Sequence, residues 1–466
     1  MDIKIIGLIF LFITLVGTGF SGFCGQSNKR NEKTGSNLDT SKADRADKYL
    51  QQCTKLRRFF GSVLIAHRGE IIFRKGYGKA NIELDVPNTP DKKYRIGSVT
   101  KPFTALAILQ LKEQGQLELT DPAVKYMSDF STHEEITIYN LLTHSSGLQD
   151  YTSFDNFQRK MKLPTTTDKI VKSIWEKPHK FSPGEQYNYC NSNYIVLGYI
   201  IENISGENYE AFLEKNIFDP LGMENSGYDS NKEIIINRAA GYRNVDGTIL
   251  NAEYIDMRFP DAAGALYSTV EDLHILCQGL INHEIVREET LKNAFTAHKE
   301  NYGYGWMIES LYGRKRIYHG GTINGFMAMI NIFTEDDLAI ITLSNLETAK
   351  IEQINRDLIA IIFEEEYEPP KEEEYIELKD EVLESLTGKY IAGDKLTIEV
   401  TRDGNHLNVK MPGQPEMKVF PKSQSEFSPK GAFFEIAFKK DDQKRVTGLI
   451  ITQARQTLTA KKHSDN

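Results

Sequence analysis

The sequence predicts an α/β (α+β) protein followed by a small β-rich domain, and three patterns carry this prediction. Alternating apolar residues from Ser62 to Phe73 indicate an antiparallel hairpin that turns at Arg68-Gly69. Helical patterns and loops then dominate from Pro102 to about Met223. Strand patterns return after this segment and are followed by an amphipathic helix; they lie at 316–318, 326–333 and 338–343, and the helix at 351–363.

A linker separates the main domain from the C-terminal part of the chain. The run EEEYEPPKEEE, which begins at Glu364, is acidic and is interrupted by two prolines, as is typical of a linker. We therefore assign residues 49–363 to the main domain, 364–374 to the linker and 375–466 to the small domain. Short alternating segments separated by turn residues predict that the small domain is a β-barrel or a sandwich.

The N-terminus has the pattern of an export signal. Residues 5–23 are uncharged and mostly apolar, and a polar stretch follows them. This pattern predicts a signal peptide at 1–23 and a flexible polar tether at 24–48. Cys24 at the junction indicates a lipoprotein, although Phe23 is bulkier than the residue such signals usually carry. Ordinary cleavage and a retained anchor stay open. In each case we expect an exported protein of the cell envelope, or a secreted one, that meets the membrane only through its N-terminus.

Composition argues against several functions. There are 56 Lys and Arg residues against 65 Asp and Glu, and the resulting net charge of −9 argues against a nucleic-acid partner. Besides Cys24, the chain has Cys53, Cys190 and Cys277, an odd and sparse set that does not indicate a disulfide framework. The ten histidines are scattered, and neither H-E-x-x-H nor C-x-x-C occurs, so we expect no metal and no cofactor.

The candidate nucleophile is the serine of Ser98-Val99-Thr100-Lys101. A serine hydroxyl needs an adjacent base, and positions i and i+3 of a helix are neighbours, so Lys101 would lie beside Ser98. Apolar residues from Phe103 to Leu111 predict a helix that ends at Gly115. Ser98 would then lie at a helix N-terminus, where the macrodipole favours negative charge and disfavours a protonated lysine.

Two later motifs extend this pattern. Tyr189-Cys190-Asn191 and His319-Gly320-Gly321 follow the S-x-x-K element in the order found in β-lactamases and penicillin-binding proteins, with His319 in the position of a lysine. The chain thus resembles the serine β-lactamase-related hydrolases, which include class C β-lactamases, D,D-peptidases and related esterases. Other stretches resemble the same family: GSVLIAHRGEIIFRKGYGKANIE from Gly61, LLTHSSGL from Leu141, DAAGALYSTVEDL from Asp261 and YGYGW from Tyr302.

The resemblance implies a β-lactamase/transpeptidase-like fold. In such a fold an antiparallel sheet is flanked by helices, a helical lobe is inserted between its early and late strands, and the site lies in the cleft between the lobes. The small C-terminal domain would be similar to the β-barrel-like domain that many of these hydrolases carry.

The resemblance also implies catalytic roles. Ser98 would attack a carbonyl carbon and form an acyl-enzyme, and Lys101 and Tyr189 would share the removal of its proton. Which of the two is the base stays open. A tyrosine with a pKa of about 10 is a weak base at pH 7 unless cations lower that pKa, and Lys101 and His319 would supply such an environment.

Further residues would bind the substrate. Asn191 would hydrogen-bond Lys101 and the amide side of the substrate. The backbone N–H groups of Ser98 and Thr322 would form the oxyanion hole. Gly320-Gly321 would let the strand edge approach the ligand closely, because neither residue carries a side chain.

Similar motifs elsewhere are set aside. Lys33-Thr34-Gly35 precedes the serine and lies in a polar stretch without strand character. Tyr242-Arg243-Asn244 lies among turn signals between strands. Cys190 occupies a structural position in the family, so we do not assign it as a nucleophile. The absence of G-x-S-x-G from the sequence excludes a conventional α/β-hydrolase.

His319 is the main departure from the β-lactamase pattern. A lysine would hold a substrate carboxylate, whereas a histidine with a pKa of about 6.5 is largely neutral at pH 7. We therefore expect a serine hydrolase of the D,D-peptidase or esterase type that acts on a small-molecule or peptide acyl substrate. Two alternatives stay open: a β-lactamase with rapid deacylation, and a catalytically silent penicillin-binding or sensor protein.

Overall fold

A computed structural model describes residues 35–463, except 129, 131, 134, 246, 394–395, 413–415, 431–433 and 454–455. The predicted signal peptide at 1–23 and Cys24 therefore lie outside the described residues. Within the described part of the chain, no helix has both the length and the apolar character needed to span a bilayer.

The main domain is built from short and long strands with helices between them. In chain order the strands are β1 (Gly61–His67), β2 (Glu70–Tyr77), β3 (Lys79–Asn81), β4 (Val86–Pro87), β5 (Tyr94–Arg95), β6 (Gly227–Tyr228), β7 (Tyr242–Val245), β8 (Thr248–Asn251), β9 (Leu266–Ser268), β10 (Met307–Leu311), β11 (Arg314–Ile323), β12 (Phe326–Phe333) and β13 (Leu338–Ser344).

The helices of this domain are α1 (Gly35–Lys55), α2 (Thr100–Glu113), α3 (Ile138–Leu142), α4 (Phe157–Lys160), α5 (Thr167–Trp175), α6 (Asn191–Ser205), α7 (Tyr209–Leu213), α8 (Asp219–Leu221), α9 (Asp261–Gly264), α10 (Val270–Ile281), α11 (Glu288–Ala294) and α12 (Ile351–Phe363). Short 3-10 turns lie at Gly97–Val99, Ala123–Tyr126 and Tyr151–Ser153, and a π-helical turn at Glu214–Phe218.

The central sheet joins the early and late strands, as expected from the resemblance. Among the described residues it has six antiparallel strands in the order β10-β11-β12-β13-β1-β2. The β1–β2 hairpin turns at Arg68-Gly69, where φ is +55° and +77°, the backbone that a tight two-residue hairpin turn requires. The predicted strand at 326–333 and the predicted helix at 351–363 are confirmed.

Helices cover both faces of this sheet. Val63 and Ile65 of β1 belong to one buried cluster, which includes residues of α1 and α12. Leu64 and Ala66 alternate with them and belong to a second cluster, formed with the helical lobe inserted between β2 and β10. Because successive side chains of a strand point to opposite faces, β1 can contribute to both cores.

The start of the domain differs from the prediction. Residues 35–48, expected to be part of a flexible tether, belong to helix α1. Ala46, Tyr49, Leu50 and Cys53 of this helix are buried, and the Tyr49 hydroxyl donates to Asp357 Oδ2 of α12 at 2.6 Å. These positions have the i, i+3, i+4, i+7 spacing of an amphipathic helix. The polar composition of the segment therefore describes its exposed face and does not indicate flexibility.

The C-terminal part forms a closed barrel, one of the two architectures predicted for it. After α12, residues 365–379 form neither helix nor strand, and a short helix, α13 (Asp380–Leu386), leads into the barrel. Its strands close in sequence order around a separate apolar core. They are β14 (Gly388–Ala392), β15 (Leu396–Asp403), β16 (His406–Lys410), β17 (Met417–Pro421), β18 (Glu426–Ser428), β19 (Phe434–Lys440), β20 (Val446–Gln453) and β21 (Gln456–Lys462).

Candidate active site

Ser98 lies at the start of a helix, as predicted. The 3-10 turn Gly97–Val99 runs directly into α2, and Ser98 is partly exposed while Gly97 and Val99 are buried. The α2 side chains after it are almost all buried in the core that joins the helical lobe to the sheet. The candidate nucleophile is therefore held by a packed helix, at the end where the helix has backbone N–H groups without intrahelical partners.

Strand β11 packs tightly against this turn. A Cβ atom added to Gly321 would lie 1.9 Å from the carbonyl oxygen of Ile96, and one added to Gly97 would lie 2.9 Å from backbone atoms of Thr322. Gly97 also has a φ of +51°, which other residues rarely adopt. Glycine at both positions is therefore what lets the His319-Gly320-Gly321 motif reach the serine. A Cβ atom on Gly320 would meet only the end of the Met329 side chain, at 3.2 Å, so the close approach expected of Gly320-Gly321 depends on Gly321.

Lys101 is fully buried and makes three hydrogen bonds. Its Nζ lies 2.9 Å from Ser98 Oγ, 2.9 Å from Asn191 Oδ1 and 2.9 Å from the carbonyl oxygen of Ala263. A neutral amine has two N–H bonds and one lone pair. Because the amide and carbonyl oxygens can only accept, they take both hydrogens, and the lone pair then points at the Ser98 hydroxyl.

Burial also brings Lys101 toward its neutral form. Removal from water lowers the pKa of this lysine to about 7, and the charge of Asp150 only partly opposes the shift. Lys101 is therefore a free amine in about half of the molecules near neutral pH. It has both the geometry and the protonation state of a general base.

Tyr189 lies beside Lys101, but its environment differs from the one expected. The Lys101 Nζ is 5.0 Å from the centre of the Tyr189 ring. Burial raises the pKa of Tyr189 above its ordinary value, and a hydrogen bond with Ser98 offsets only part of the rise. The expected lowering by two neighbouring cations is absent. At neutral pH Tyr189 is a phenol that can donate a proton.

His319 lies in β11 and is neutral for a structural reason. Its Nδ1 lies 2.7 Å from the carbonyl oxygen of Gly320, so this nitrogen carries the proton and donates it. Its Nε2 then accepts from the Tyr302 hydroxyl at 3.1 Å. Burial, together with the nearby Lys101, lowers the pKa of His319 to about 3. The histidine therefore offers no positive charge to a substrate at physiological pH.

Asn191 contacts Lys101 as predicted and also has a second partner. It begins helix α6, and its side-chain nitrogen donates to Asp150 Oδ2 at 3.0 Å. Within the described residues, the other N–H bond of this amide group has no acceptor and can therefore face a substrate. Asp150 was not identified from the sequence, because it lies 41 positions away from Asn191 and outside the three motifs.

His144 was also missed. It belongs to the stretch LLTHSSGL, and its Nδ1 accepts from the backbone N–H of Cys190 at 3.1 Å. Its ring centre lies 4.3 Å from that of Tyr189 and 4.6 Å from that of Tyr302. The histidine thus holds the turn that carries Tyr189 and fills the space behind its ring. The resemblance marked this stretch as a landmark but gave the histidine no role.

Two of the residues that were set aside, Cys190 and Tyr242, lie where they cannot replace the site, whereas Lys33 and Thr34 lie outside the described residues. Cys190 is buried, its thiol contacts the carbonyl oxygen of Leu148 at 3.4 Å, and burial raises its pKa to about 12. Tyr242 starts the hairpin strand β7, and its hydroxyl contacts Glu83 and the N–H of Ile82. A thiol with a raised pKa is unreactive, and the second tyrosine motif serves a hairpin.

One group of potential metal ligands comes together in the described part of the chain. His133, Glu135 and His179 place donor atoms within 4.8 Å of one another, and His179 Nδ1 lies 3.3 Å from Glu135 Oε1. The two imidazole rings, however, lie 4.1 Å apart with an angle of 35° between their planes. His133 Nε2 also lies 2.9 Å from the carbonyl oxygen of Trp175, which can only accept, so this nitrogen donates a hydrogen bond and is not free to bind a metal.

Comparisons with known proteins identify the family and fold to which the chain is similar. The family model described as Beta-lactamase matches residues 46–363. The putative penicillin-binding protein PbpX of Bacillus subtilis (strain 168) is 31% identical over 310 residues, which cover 66% of this chain and 76% of that protein. Penicillin-binding protein 4* of the same organism is 27% identical over 416 residues, covering 82% of this chain and 90% of that protein. The octameric penicillin-binding protein homologue from Pyrococcus abyssi has a similar structure, with a TM-score of 0.64 and 26% identity over 89% of this chain and 99% of its own.

Proposed function

This chain belongs to the β-lactamase family of serine hydrolases, and we propose that it cleaves an amide or ester through an acyl-enzyme on Ser98. Within the family we propose a D,D-peptidase or esterase type of activity. The observation that carries the proposal is the hydrogen bonding of Lys101. Two fixed oxygen acceptors turn the lone pair of a buried amine toward the serine hydroxyl, which activates a nucleophile that is otherwise unreactive at neutral pH.

In the proposed acylation step, each bond change is accompanied by a proton transfer. Ser98 Oγ attacks the substrate carbonyl carbon while Lys101 takes the hydroxyl proton. The carbonyl oxygen becomes an oxyanion that accepts from the backbone N–H groups of Ser98 and Thr322. When the carbon–leaving-group bond breaks, Tyr189 gives its proton to the leaving group and regains one from the Lys101 ammonium. This leaves an ester between Ser98 and the acyl group, with Lys101 neutral again.

Deacylation reverses these roles with water as the nucleophile. Lys101 takes a proton from the water as it attacks the ester carbonyl, and the Ser98 oxygen leaves with the proton returned from Lys101. The same oxyanion contacts assist both steps, since both pass through a tetrahedral intermediate. The acyl group departs as a free acid, and the site is restored.

The neutral state of His319 favours particular substrates. A lysine in this position would attract a carboxylate next to the scissile bond, as a β-lactam carries. The pKa of about 3 leaves His319 uncharged at neutral pH, and its Nε2 is already occupied by Tyr302. We therefore place esters and amides without such a carboxylate ahead of β-lactams as substrates that turn over, and within the D,D-peptidase or esterase type the same argument ranks esters ahead of peptides with a free C-terminal carboxylate.

Export is part of the same proposal. The apolar segment at 5–23 and Cys24 are the pattern of an anchored envelope protein, and relatives named penicillin-binding proteins fit that location. Expression of the full chain and of a Cys24→Ala variant, followed by detergent phase partition and N-terminal mass analysis, distinguishes lipidation from ordinary cleavage. A lipid-bearing Cys24 supports the anchored form, and a mature chain that begins elsewhere overturns it.

Turnover tests the proposed activity. Purified protein from residue 35 onward is mixed with a neutral p-nitrophenyl ester, a D-alanyl-D-alanine peptide and a penicillin, each beside a Ser98→Ala control. Sustained product release from the ester or the peptide by wild type alone supports the proposal. Faster turnover of the penicillin than of both other substrates would instead assign a β-lactamase. Acylation without turnover of any substrate would assign a silent binding protein.

A further inference from the structure

The side-chain amide of Asn191 has to face one way for Lys101 to act as a base. The oxygen of this amide accepts from Lys101 Nζ at 2.9 Å. If the amide were rotated by half a turn, its NH2 group would face the lysine instead. A neutral amine would then have to accept from Asn191, and its lone pair would no longer point at Ser98.

Asp150 determines this orientation. It is buried, and its Oδ2 accepts from both the backbone N–H of Asn191 at 2.9 Å and the side-chain nitrogen of Asn191 at 3.0 Å. A carboxylate has no hydrogen to give, so the nitrogen of the amide must lie on its side. The oxygen of the amide is thereby turned to Lys101.

The other carboxylate oxygen holds Asp150 in place. Its Oδ1 accepts from the backbone N–H of Thr152 at 2.9 Å and from the Thr152 hydroxyl at 2.7 Å. Four donors thus use the acceptor positions of the carboxylate. The side chain that orients Asn191 is itself fixed at the start of the 3-10 turn Tyr151–Ser153.

Asp150 also brings a negative charge close to Lys101. The other titratable groups around the lysine are neutral near pH 7, because they are buried and burial disfavours their charged forms. These groups are His144, His319, Tyr189, Tyr194 and Cys190. The charge of Asp150 opposes the loss of the proton from Lys101. Of the described residues named here around Lys101, Asp150 thus supplies the negative charge that opposes deprotonation of the lysine.

We propose that Asp150 is a positioning residue for the acyl transfer: it orients the Asn191 amide, and so the lone pair of Lys101, and holds a negative charge beside the ammonium form of the lysine. This inference rests on the proposed function, because it assigns Asp150 a part in the same reaction. Among the described hydrogen bonds of Asp150 none is with Ser98, so we assign it an action through Asn191 and Lys101.

The test compares Asp150→Asn with a matched control. Asp150→Asn removes the charge and turns one of the two carboxylate oxygens into an NH2 donor, so that Asn191 or Thr152 faces a donor where it had an acceptor. Thr152→Val removes one hydrogen bond to the same carboxylate while leaving the charge and the contacts with Asn191 intact. Circular dichroism and thermal melting of both variants establish that each is folded before rates are compared.

Rates of acylation by a neutral ester are measured from pH 5 to 9. We expect the plateau rate of Asp150→Asn to fall roughly tenfold to hundredfold, because the base is misdirected. We expect the acid limb of its pH–rate profile, where the rate rises as Lys101 loses its proton, to move to lower pH by about one unit, because the ammonium form of the lysine loses a stabilising negative charge. Thr152→Val should keep the wild-type limb and a rate within about threefold of wild type.

A rescue variant tests the orientation separately. In the double variant Asp150→Asn/Asn191→Asp, the donor and acceptor groups are exchanged, so that an oxygen again faces Lys101. We expect this variant to recover part of the lost plateau rate and to move the acid limb above that of wild type, since the charge now contacts the lysine. A double variant slower than Asp150→Asn, with the same limb, would contradict the orientation argument.

A direct titration separates this inference from the proposed function. The 13Cε resonance of Lys101, assigned with Lys101→Arg, reports the protonation of the amine without any substrate. A midpoint about one pH unit lower in Asp150→Asn supports the charge effect even if no substrate is turned over. A lower plateau rate with unchanged midpoint and limb would reduce Asp150 to a structural residue and overturn the inference.

Discussion

The rate at which Ser98 becomes acylated should rise with pH along a single titration centred near pH 7. The reason is the burial of Lys101, which lowers its pKa to about 7 and makes it neutral at an unusually low pH for a lysine. Only the neutral amine has a lone pair for the Ser98 proton. The pH that changes the rate is therefore the pH that deprotonates this lysine.

The expected change is large enough to measure. With a pKa of about 7, the neutral fraction of Lys101 is about 9% at pH 6 and about 91% at pH 8, so the rate should rise roughly tenfold and then level off. A lysine with the ordinary pKa of about 10.4 would be only about 0.4% neutral at pH 8, and its rate would keep rising beyond pH 10. Tyrosinate catalysis by Tyr189 would also give no plateau, since burial raises the pKa of that residue.

The assay uses an ester that does not itself titrate. Wild type is mixed with an excess of a neutral activated ester, the reaction is quenched in acid at increasing times, and the acylated fraction is read from the intact mass. Lys101→Ala serves as the control and should lose both the rate and the limb near pH 7. A wild-type rate that is flat from pH 5 to 9, or one that rises without a plateau, would refute the assignment of Lys101 as the base.

Three further predictions follow from the contacts described above. The ratio of acylation rates for an anionic β-lactam and a neutral ester should stay flat from pH 5 to 8, because His319 is neutral throughout. His319→Lys should raise this ratio by roughly tenfold. A wild-type ratio that falls between pH 6 and 7 would show that the histidine titrates there. Gly321→Ala should abolish acylation, because its methyl group meets backbone in front of the serine. Gly320→Ala should retain activity, because its methyl group meets only the end of a methionine side chain, at 3.2 Å. Equal rates for the two variants would contradict the close approach of β11. Leu50→Ala should lower the free energy of unfolding in urea by about 2–5 kcal/mol, because it leaves a cavity under α1. Gln51→Ala, at the exposed neighbouring position, should change this free energy by less than about 0.5 kcal/mol. Equal effects of the two variants would mean that α1 does not pack against the domain.

Much of the fold could be predicted from the sequence because its patterns are local. Alternation and a two-residue turn signal define the first hairpin, and the periodicity of residues 351–363 defines α12. The same rule applied to Ala46, Tyr49, Leu50 and Cys53 predicts the end of α1. The polar composition around them pointed to a tether instead, because composition averages the exposed and buried faces of a helix.

The site could be predicted only in part. Motif spacing identified Ser98, Lys101 and Asn191, and the structure brings these three within hydrogen-bonding distance. Asp150 and His144 could not be predicted, because the site residues that they contact, Asn191 and Cys190, lie more than forty positions away in the sequence. Nothing local to them indicates that the chain returns to the same place.

Protonation states were the least accessible from the sequence. The neutrality of His319 depends on its burial and on the nearby Lys101, both of which lower its pKa. The raised pKa of Tyr189 likewise depends on burial, which outweighs the effect of its hydrogen bond with Ser98. Both are properties of packing between distant segments, so a motif can name the residue but not its charge.

The most direct test of the central claim is the intact mass of the protein after brief exposure to a penicillin or a neutral activated ester, followed by peptide mapping. We predict a mass increase equal to the acyl group, located on the peptide that contains Ser98, in wild type and not in Ser98→Ala. The ester adduct should form faster at pH 8 than at pH 6 by roughly tenfold, as the titration of Lys101 requires. An adduct on another residue, or an equal adduct in Ser98→Ala, would contradict the assignment of Ser98 as the nucleophile.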